Sequence, residues 1–242
     1  MAALERPDQA HGHDEDDPGG SAPQEASVAP GRPRQERAQA TMAAIVRAAA
    51  TMFAERGYAR TTLDLVSVEA GVTKGALYFH FASKHDLANA VIAAELDTLR
   101  ADAAAVLELG RPALEAGILL SGVFTRKLTT DVVVRAGVKL TTEELYSHLD
   151  IGAAYEAWSV LYDDLFARAV EEGDVVADLD PAMLSRFLVA AFTGVHVVAN
   201  AVGGDADVYA RVREMWTVVL RAVVVPERLP LYKDLPATIR PA

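Results

Sequence analysis

The run Leu63-Asp64-Leu65-Val66-Ser67-Val68-Glu69-Ala70-Gly71-Val72-Thr73-Lys74-Gly75-Ala76-Leu77-Tyr78-Phe79-His80-Phe81 constrains the fold more than any other part of the 242-residue chain. Thr62 and Thr73 are N-cap residues placed ahead of two short helical runs. Gly71 between them supplies the residue able to adopt φ > 0 in a tight turn. Val66, Ala70, Val72 and Leu77 are spaced to meet between the two helices, the pattern of a helix-turn-helix. The second helix presents Thr73, Lys74 and Gly75 at its N-terminal end and Tyr78 one turn on. That end has free backbone N–H groups which, with the Lys74 ammonium, favour phosphates or base-edge acceptors. Gly75 costs about 1 kcal/mol inside a helix relative to Ala, so its expected use is a close approach of backbone to a partner, with DNA the obvious candidate. A generic two-helix corner with an exposed Lys and Tyr has the same spacing, and at this level both readings stand.

Charge at first argues against DNA. The chain carries 34 acidic and 23 basic residues, a formal net charge of −11, and acidic surfaces repel phosphates. Its distribution changes the reading. Residues 1–31 hold seven acidic side chains against Arg6 alone, a net −6. Residues 32–86 hold eight basic against five acidic, a net +3, and residues 87–242 carry −8. The only basic block contains the helix-turn-helix, so the acidic total is expected to limit promiscuous DNA binding while leaving specific binding open. Residues 1–31 are rich in Pro, Gly, Asp and Ala, and nearly lack large apolar side chains. They cannot offset their own ordering entropy, and read as a disordered acidic tail. Its His11-Gly12-His13-Asp14-Glu15-Asp16-Asp17 run fixes no coordination geometry, so no metal site is assigned.

From about 34 to 225 the apolar period is helical throughout, and alternating strand patterns are absent. Ile45, Ala49, Met52 and Phe53 form the stripe of a first helix, which Gly57 should stop. Ser83 with Asp86 resembles a capping box opening a long helix to Gly110, and Pro112 suits the first turn of the next, toward Leu128. Further helices are expected over about 131–142, 150–172, 180–202 and 206–224. The fold class is therefore all-α, with an N-terminal helix-turn-helix DNA-binding domain at 32–86 and a C-terminal helical ligand-binding and dimerisation domain at 87–225. Pro226, Pro230, Pro236 and Pro241 mark a flexible C-terminal tail, 226–242. With 51% hydrophobic residues there is enough apolar material for a sizeable core. No apolar run is expected to reach the roughly 18 residues of a spanning helix, no secretory signal is evident, and zero Cys excludes disulfides and thiol chemistry. A protein of the reducing cytoplasm, without a membrane partner, is expected.

The fifty residues around the turn resemble the tetracycline-repressor (TetR) family of bacterial one-component regulators. The resemblance is carried by Ala49, Phe53, Gly57-Tyr58 and Thr61-Thr62, then by Ala70 through Phe81, then by Lys84 and Leu87. It implies groove-facing roles for Thr73, Lys74, Gly75 and Tyr78, phosphate contacts from Thr62, His80 and Lys84, and a basic arm of Arg34 and Arg37. Met42 stands where relatives often carry an Arg. The second half resembles, more narrowly, the γ-butyrolactone receptors that control antibiotic production in streptomycetes, through Val134 to Leu140, Tyr155-Glu156-Ala157-Trp158, the Gly194 segment, Glu214-Met215-Trp216 and Pro226. That resemblance implies a pocket lined by Trp158, with Thr193 as a hydrogen-bonding position and Glu95 where relatives often place a ligand-facing Gln. Some members of the subgroup, the pseudo-receptors, sense antibiotics instead of lactones.

The residues of the second half point the same way by themselves. Interior glycines at 117, 122, 137, 152 and 194 destabilise their helices, which implies close packing or room for a ligand. Phe124 and other large apolar groups can wall a dry cavity in which the Trp158 N–H, the Thr193 hydroxyl or Tyr155 orients a small polar head. The bland alternative is the core of a helical bundle. His196, on an apolar helix, reads as a satisfied core histidine. Small and apolar faces (Ala190, Ala191, Val195, Val198; Val208, Val212, Met215, Val219) suit a homodimer interface. Two recognition helices about 34 Å apart could then read a palindromic double-stranded operator. No H-E-x-x-H, G-x-S-x-G or phosphate-cradling Gly loop is present, so no catalytic, metal or cofactor residue is assigned, and a helical enzyme acting on a small hydrophobic substrate is the rival class. The expected function is a transcriptional repressor released from its operator by a small γ-butyrolactone-like effector.

Overall fold

The computed structural model describes residues 32–143, 149, 151–202 and 205–241, so the acidic segment 1–31 lies outside the described residues. The helices follow the caps read above. α1 (Arg32–Arg60) contains a break at Gly57, where φ is 75°. α2 (Leu63–Glu69) begins at Thr62, whose hydroxyl accepts the Leu65 N–H at 3.3 Å. α3 (Lys74–His80) begins at Thr73, whose hydroxyl accepts the Ala76 N–H at 3.1 Å. α4 (Lys84–Leu107) begins at Ser83, whose hydroxyl accepts the Asp86 N–H at 3.1 Å and donates to the Asp86 carboxylate at 2.8 Å. Each cap satisfies a helix N–H that has no intrahelical partner.

Beyond Gly110, which has φ 62°, follow α5 (Ala113–Thr130), α6 (Val132–Glu143), α7 (Ile151–Glu171), α8 (Pro181–Val202) and α9 (Asp205–Val223). Pro112 is the N-cap of α5 and not its first helical residue. The expected flexible tail over 226–242 is corrected. Leu229–Tyr232 form a short α10 and Leu235–Thr238 a 3-10 turn, and Tyr232 and Ile239 are buried. The reason is a buried carboxylate. Asp174 accepts from Arg228 Nε at 2.6 Å and from the Tyr232 hydroxyl, while Val176 N–H and Val225 N–H bond across to the carbonyls of Val223 and Asp174. Ile239 closes the strap against Gly122 of α5, where a Cβ would lie 3.4 Å from it. Prolines end helices without preventing burial of the chain between them.

Two further expectations change. One hydrophobic core runs across residue 86: Ile45, Phe53, Val66 and Leu77 share it with Leu87, Val91 and Leu96 of α4 and with Ala136 and Leu140 of α6. The helix-turn-helix is therefore packed directly on the second half. The Pro181–Ala199 stretch of α8 is long and apolar enough to cross a membrane by length and composition alone, contrary to the reading above. Burial of residues such as Leu184, Leu188, His196 and Ala199 accounts for 28% of that stretch. The helix also has an exposed apolar face, with Met183, Phe187, Val197, Val198 and Val202 uncovered.

Candidate DNA-reading face and effector cavity

Gly71 has φ 65°, the left-handed value the tight turn requires. Val66 and Leu77 are fully buried between α2 and α3, with Ala70 and Val72 packed against the same core. This fixes the outer side of α3. Thr73, Lys74, Gly75 and Tyr78 are exposed together, and nothing lies within 4 Å of a Cβ placed on Gly75. Phe79, 82% exposed, adds a second aromatic beside Tyr78 that the sequence reading did not single out. Lys74 Nζ pairs with the Asp64 carboxylate at 2.6 Å, both groups well exposed. Such a surface pair contributes at most about 1 kcal/mol, so a phosphate or base edge can replace it.

The other positions divide. Thr62 is exposed at the start of α2 and its hydroxyl is engaged in capping. His80 is half-buried at the end of α3. Lys84 Nζ donates to the Tyr58 carbonyl at 2.9 Å and lies 4.3 Å from the Tyr58 ring centre, tying α4 to the end of α1. Arg37 is exposed in the first turns of α1, which also includes the backbone of Arg34; the Arg34 side chain lies outside the described residues. Met42 is likewise exposed on α1.

The cavity lies between α4, α5, α6, α7 and α8 and leaves about 50 Å³ of free volume between its lining side chains. All five residues expected to meet a ligand line it: Glu95, Phe124, Tyr155, Trp158 and Thr193. The aromatic wall is continuous, with the Trp158 ring 4.7 Å from Phe124 in an edge-on contact and 6.2 Å from Phe192. The Tyr155 and Thr193 hydroxyls share a hydrogen bond, and burial raises the Tyr155 phenol. Glu95 is buried, its Oε2 has no hydrogen-bond partner, and burial pushes its carboxyl up to about 8, so it is protonated at neutral pH. Its place depends on Gly137 in α6, where a Cβ would come within 2.5 Å of Glu95 Oε2.

The reading of His196 as a satisfied core histidine is corrected. Its ring lines the cavity, both ring nitrogens lack partners, and burial lowers it to about 4, so the imidazole is neutral. Tyr162, Thr141 and Thr142 also face the cavity and were missed. Helical spacing carried the signal: Tyr162 follows Trp158 by four residues and His196 follows Thr193 by three, which puts each pair on one face. Behind the wall the Tyr162 hydroxyl donates to the Gly117 carbonyl at 3.1 Å and sits 2.8 Å from the Ser121 hydroxyl. Gly117 gives the Tyr162 ring room there, since a Cβ would lie 3.3 Å from it, closer than an ordinary contact.

The expected dimer face is partly corrected. Val208 and Val212 belong to the protomer's own core, and Met215 and Val219 form the floor of a cleft between α8 and α9. Of the expected face, Val198 is exposed, and it belongs to an uncovered apolar surface with Met183, Phe187, Val197, Val202 and Val218. Among the described residues no three His, Asp or Glu side chains are grouped as metal ligands.

A helix-turn-helix with an exposed recognition end, packed on a helical body that holds an aromatic-walled cavity, defines a two-domain bacterial transcription regulator. Residues 45–91 match the family of bacterial regulatory proteins of the tetR type, and residues 111–226 match the tetracyclin repressor-like C-terminal domain. The A-factor receptor protein of Streptomyces griseus is 33% identical over 193 residues, covering 80% of this chain and 67% of that protein. A crystal structure of a gamma-butyrolactone receptor, ArpA-like, superposes with a TM-score of 0.72 at 34% identity, covering 84% of this chain and 98% of that one. CprB of Streptomyces coelicolor, solved with its biological operator sequence, gives 0.70 at 35% identity over the same shares. The chain belongs to the TetR family of bacterial regulators.

Proposed function

We propose that the chain is a transcriptional repressor that binds a palindromic operator as a homodimer in the cytoplasm and is released by a small γ-butyrolactone-like effector. The observation that carries this is the sharing of helices between the two sites. α4 and α6 line the cavity through Glu95, Val138 and Thr141, and the same helices pack on α1 to α3 through Leu87, Val91, Ala136 and Leu140. Lys139 Nζ on α6 donates to the Ala54 carbonyl of α1 at 2.8 Å. A molecule filling the cavity must press on the elements that set the recognition helix.

In this mechanism Thr73, Lys74, Gly75 and Tyr78 enter the major groove, Thr62, His80 and Lys84 supply phosphate contacts at its edges, and Arg34 and Arg37 form a basic arm. The exposed strip on α8 and α9 joins two protomers so that their recognition helices reach successive groove faces of one palindrome. Trp158, Phe124, Tyr155, Thr193 and Glu95 hold the effector. Displacement of α4 by the effector alters the spacing of the two recognition helices, and no catalytic step is involved. Control of antibiotic production is the regulatory role that agrees with the receptor resemblance. The test is a gel shift on the DNA upstream of the chain's own gene, with and without a synthetic γ-butyrolactone or a solvent extract of the producing culture. Salt-sensitive binding abolished by the lactone supports the assignment. Binding that the extract abolishes and no lactone affects identifies a pseudo-receptor, a reading that the carboxyl of Glu95 favours. No binding to any palindrome refutes the repressor.

A further inference from the structure

Two side chains in the cavity are in an unusual state. Glu95 on α4 is 3% exposed and His196 on α8 is 2% exposed, and neither the Glu95 Oε2 nor either imidazole nitrogen has a hydrogen-bond partner. Buried polar atoms are almost always paired, because an unmet donor or acceptor loses its water without replacement. Both side chains line the cavity, so both face the space a ligand would take. The Glu95 position is built for its carboxyl, since only a glycine at 137 leaves room for it. The His196 ring is held edge-on against Phe192, with ring centres 4.3 Å apart, and is packed near Phe124.

Charge narrows what can satisfy them. Among the described lining residues there is no Lys or Arg. A neutral imidazole offers one N–H and one acceptor nitrogen, and a protonated carboxyl offers an O–H. An anionic ligand would bring an unpaired charge into a cavity with no cationic side chain, beside a second carboxyl. We propose that Glu95 and His196 form a paired polar anchor that restricts the effector to an uncharged molecule with an alkyl body and a hydroxyl or carbonyl oxygen, and excludes the carboxylate form of the same molecule. This rests on reading the cavity as the effector site, and it has a chemical consequence. For a lactone effector, the ring-closed form binds and the hydroxy-carboxylate formed by addition of water across the ester does not, so lactone hydrolysis is the class of reaction that would end the signal.

The test uses calorimetry on the full chain at pH 7 with octan-1-ol and octanoate, and separately with γ-decalactone and its saponified hydroxy acid. The expected result is that wild type binds the alcohol and the closed lactone at least about ten-fold more tightly than the matching carboxylates. His196→Phe and Glu95→Leu each lose about ten-fold in affinity for octan-1-ol, and Glu95→Gln, which keeps a donor in place, restores most of that loss. The proposal is overturned if octanoate binds as tightly as octanol, if wild type binds no octanol, or if both apolar variants bind octanol as wild type does. The comparison of alcohol with carboxylate in wild type decides the matter alone should a variant fail to fold. Octanol and octanoate are not lactones, so a lactone that fails to release operator DNA while octanol is preferred over octanoate refutes the lactone assignment and leaves the anchor standing.

Discussion

Glu95→Gln should make the ligand-free protein more stable near neutral pH, and the size of the effect follows from the burial of one carboxyl. An ordinary Glu titrates near 4.5, and burial raises Glu95 to about 8. A carboxyl raised on folding stabilises the native state fully below its unfolded value, and that contribution is lost as pH climbs toward its folded value. At pH 7 the unfolded chain ionises and the folded one does not, which costs the native state about 3 kcal/mol. Gln has nearly the same shape and cannot ionise. Its amide remains unpartnered, an offset of roughly 1–3 kcal/mol that does not vary with pH. His196 acts in the opposite sense, because burial lowers it from 6.5 to about 4, so its contribution is lost as pH falls below 6.5. Between pH 4.5 and 6.5 the two slopes nearly cancel in wild type, and above 6.5 the Glu95 slope stands alone. The assay is urea unfolding of both proteins at one protein concentration from pH 5 to 8. The stability difference between variant and wild type should grow by about 1.4 kcal/mol per pH unit. Parallel curves would refute the argument, showing that the native Glu95 carboxyl is solvated or paired.

Four other changes probe the remaining parts. Lys74→Ala should weaken operator binding by about 1–3 kcal/mol at fixed salt in a gel shift, with an unchanged circular dichroism spectrum. Trp158→Ala should give a repressor that stays on its operator when effector is added, read as retention of the shifted band. Gly137→Ala places a methyl within 2.5 Å of Glu95 Oε2, so thermal unfolding should show a loss of about 1–3 kcal/mol; wild-type stability would mean that α4 and α6 separate freely. Phe187→Glu, at a position 59% exposed on α8, should halve the mass seen by sedimentation, and an unchanged dimer would place the interface elsewhere.

The caps made most of the helical order legible. Thr62, Thr73 and Ser83 each cap the helix assigned to them, and Gly71 takes the left-handed turn. Such signals are local, so a single sequence displays them. The cavity was legible where helical spacing and an aromatic residue coincided, as at Trp158 and Phe124. His196 was misread because an apolar neighbourhood looks the same whether a histidine has a partner or not. The need for Gly137 was invisible for a related reason: it arises from Glu95, forty-two positions earlier in sequence and on another helix. The C-terminal segment was misread because prolines report local backbone limits, whereas Asp174, Arg228 and Tyr232 order it through contacts made at long range.

The packing also limits how release can work. Ala136 and Leu140 lie one turn apart on the side of α6 that enters the core of the DNA-reading half, while Val138, Thr141 and Thr142 meet the cavity. One helix therefore has the cavity on one side and the recognition unit on the other, with Lys139 pinned to α1 between them. Close-packed interiors respond to an inserted group by shifting whole elements. Effector binding is transmitted only to the extent that it prefers the shifted arrangement, and moving a dimer from nearly all bound to nearly all free requires about 5.5 kcal/mol of that preference. Meeting two unpartnered buried side chains supplies affinity in either arrangement if both hold them alike. For the anchor to act as a trigger, the distance between Glu95 on α4 and His196 on α8 must differ between the DNA-bound and released forms, so α4 and α8 must move relative to each other.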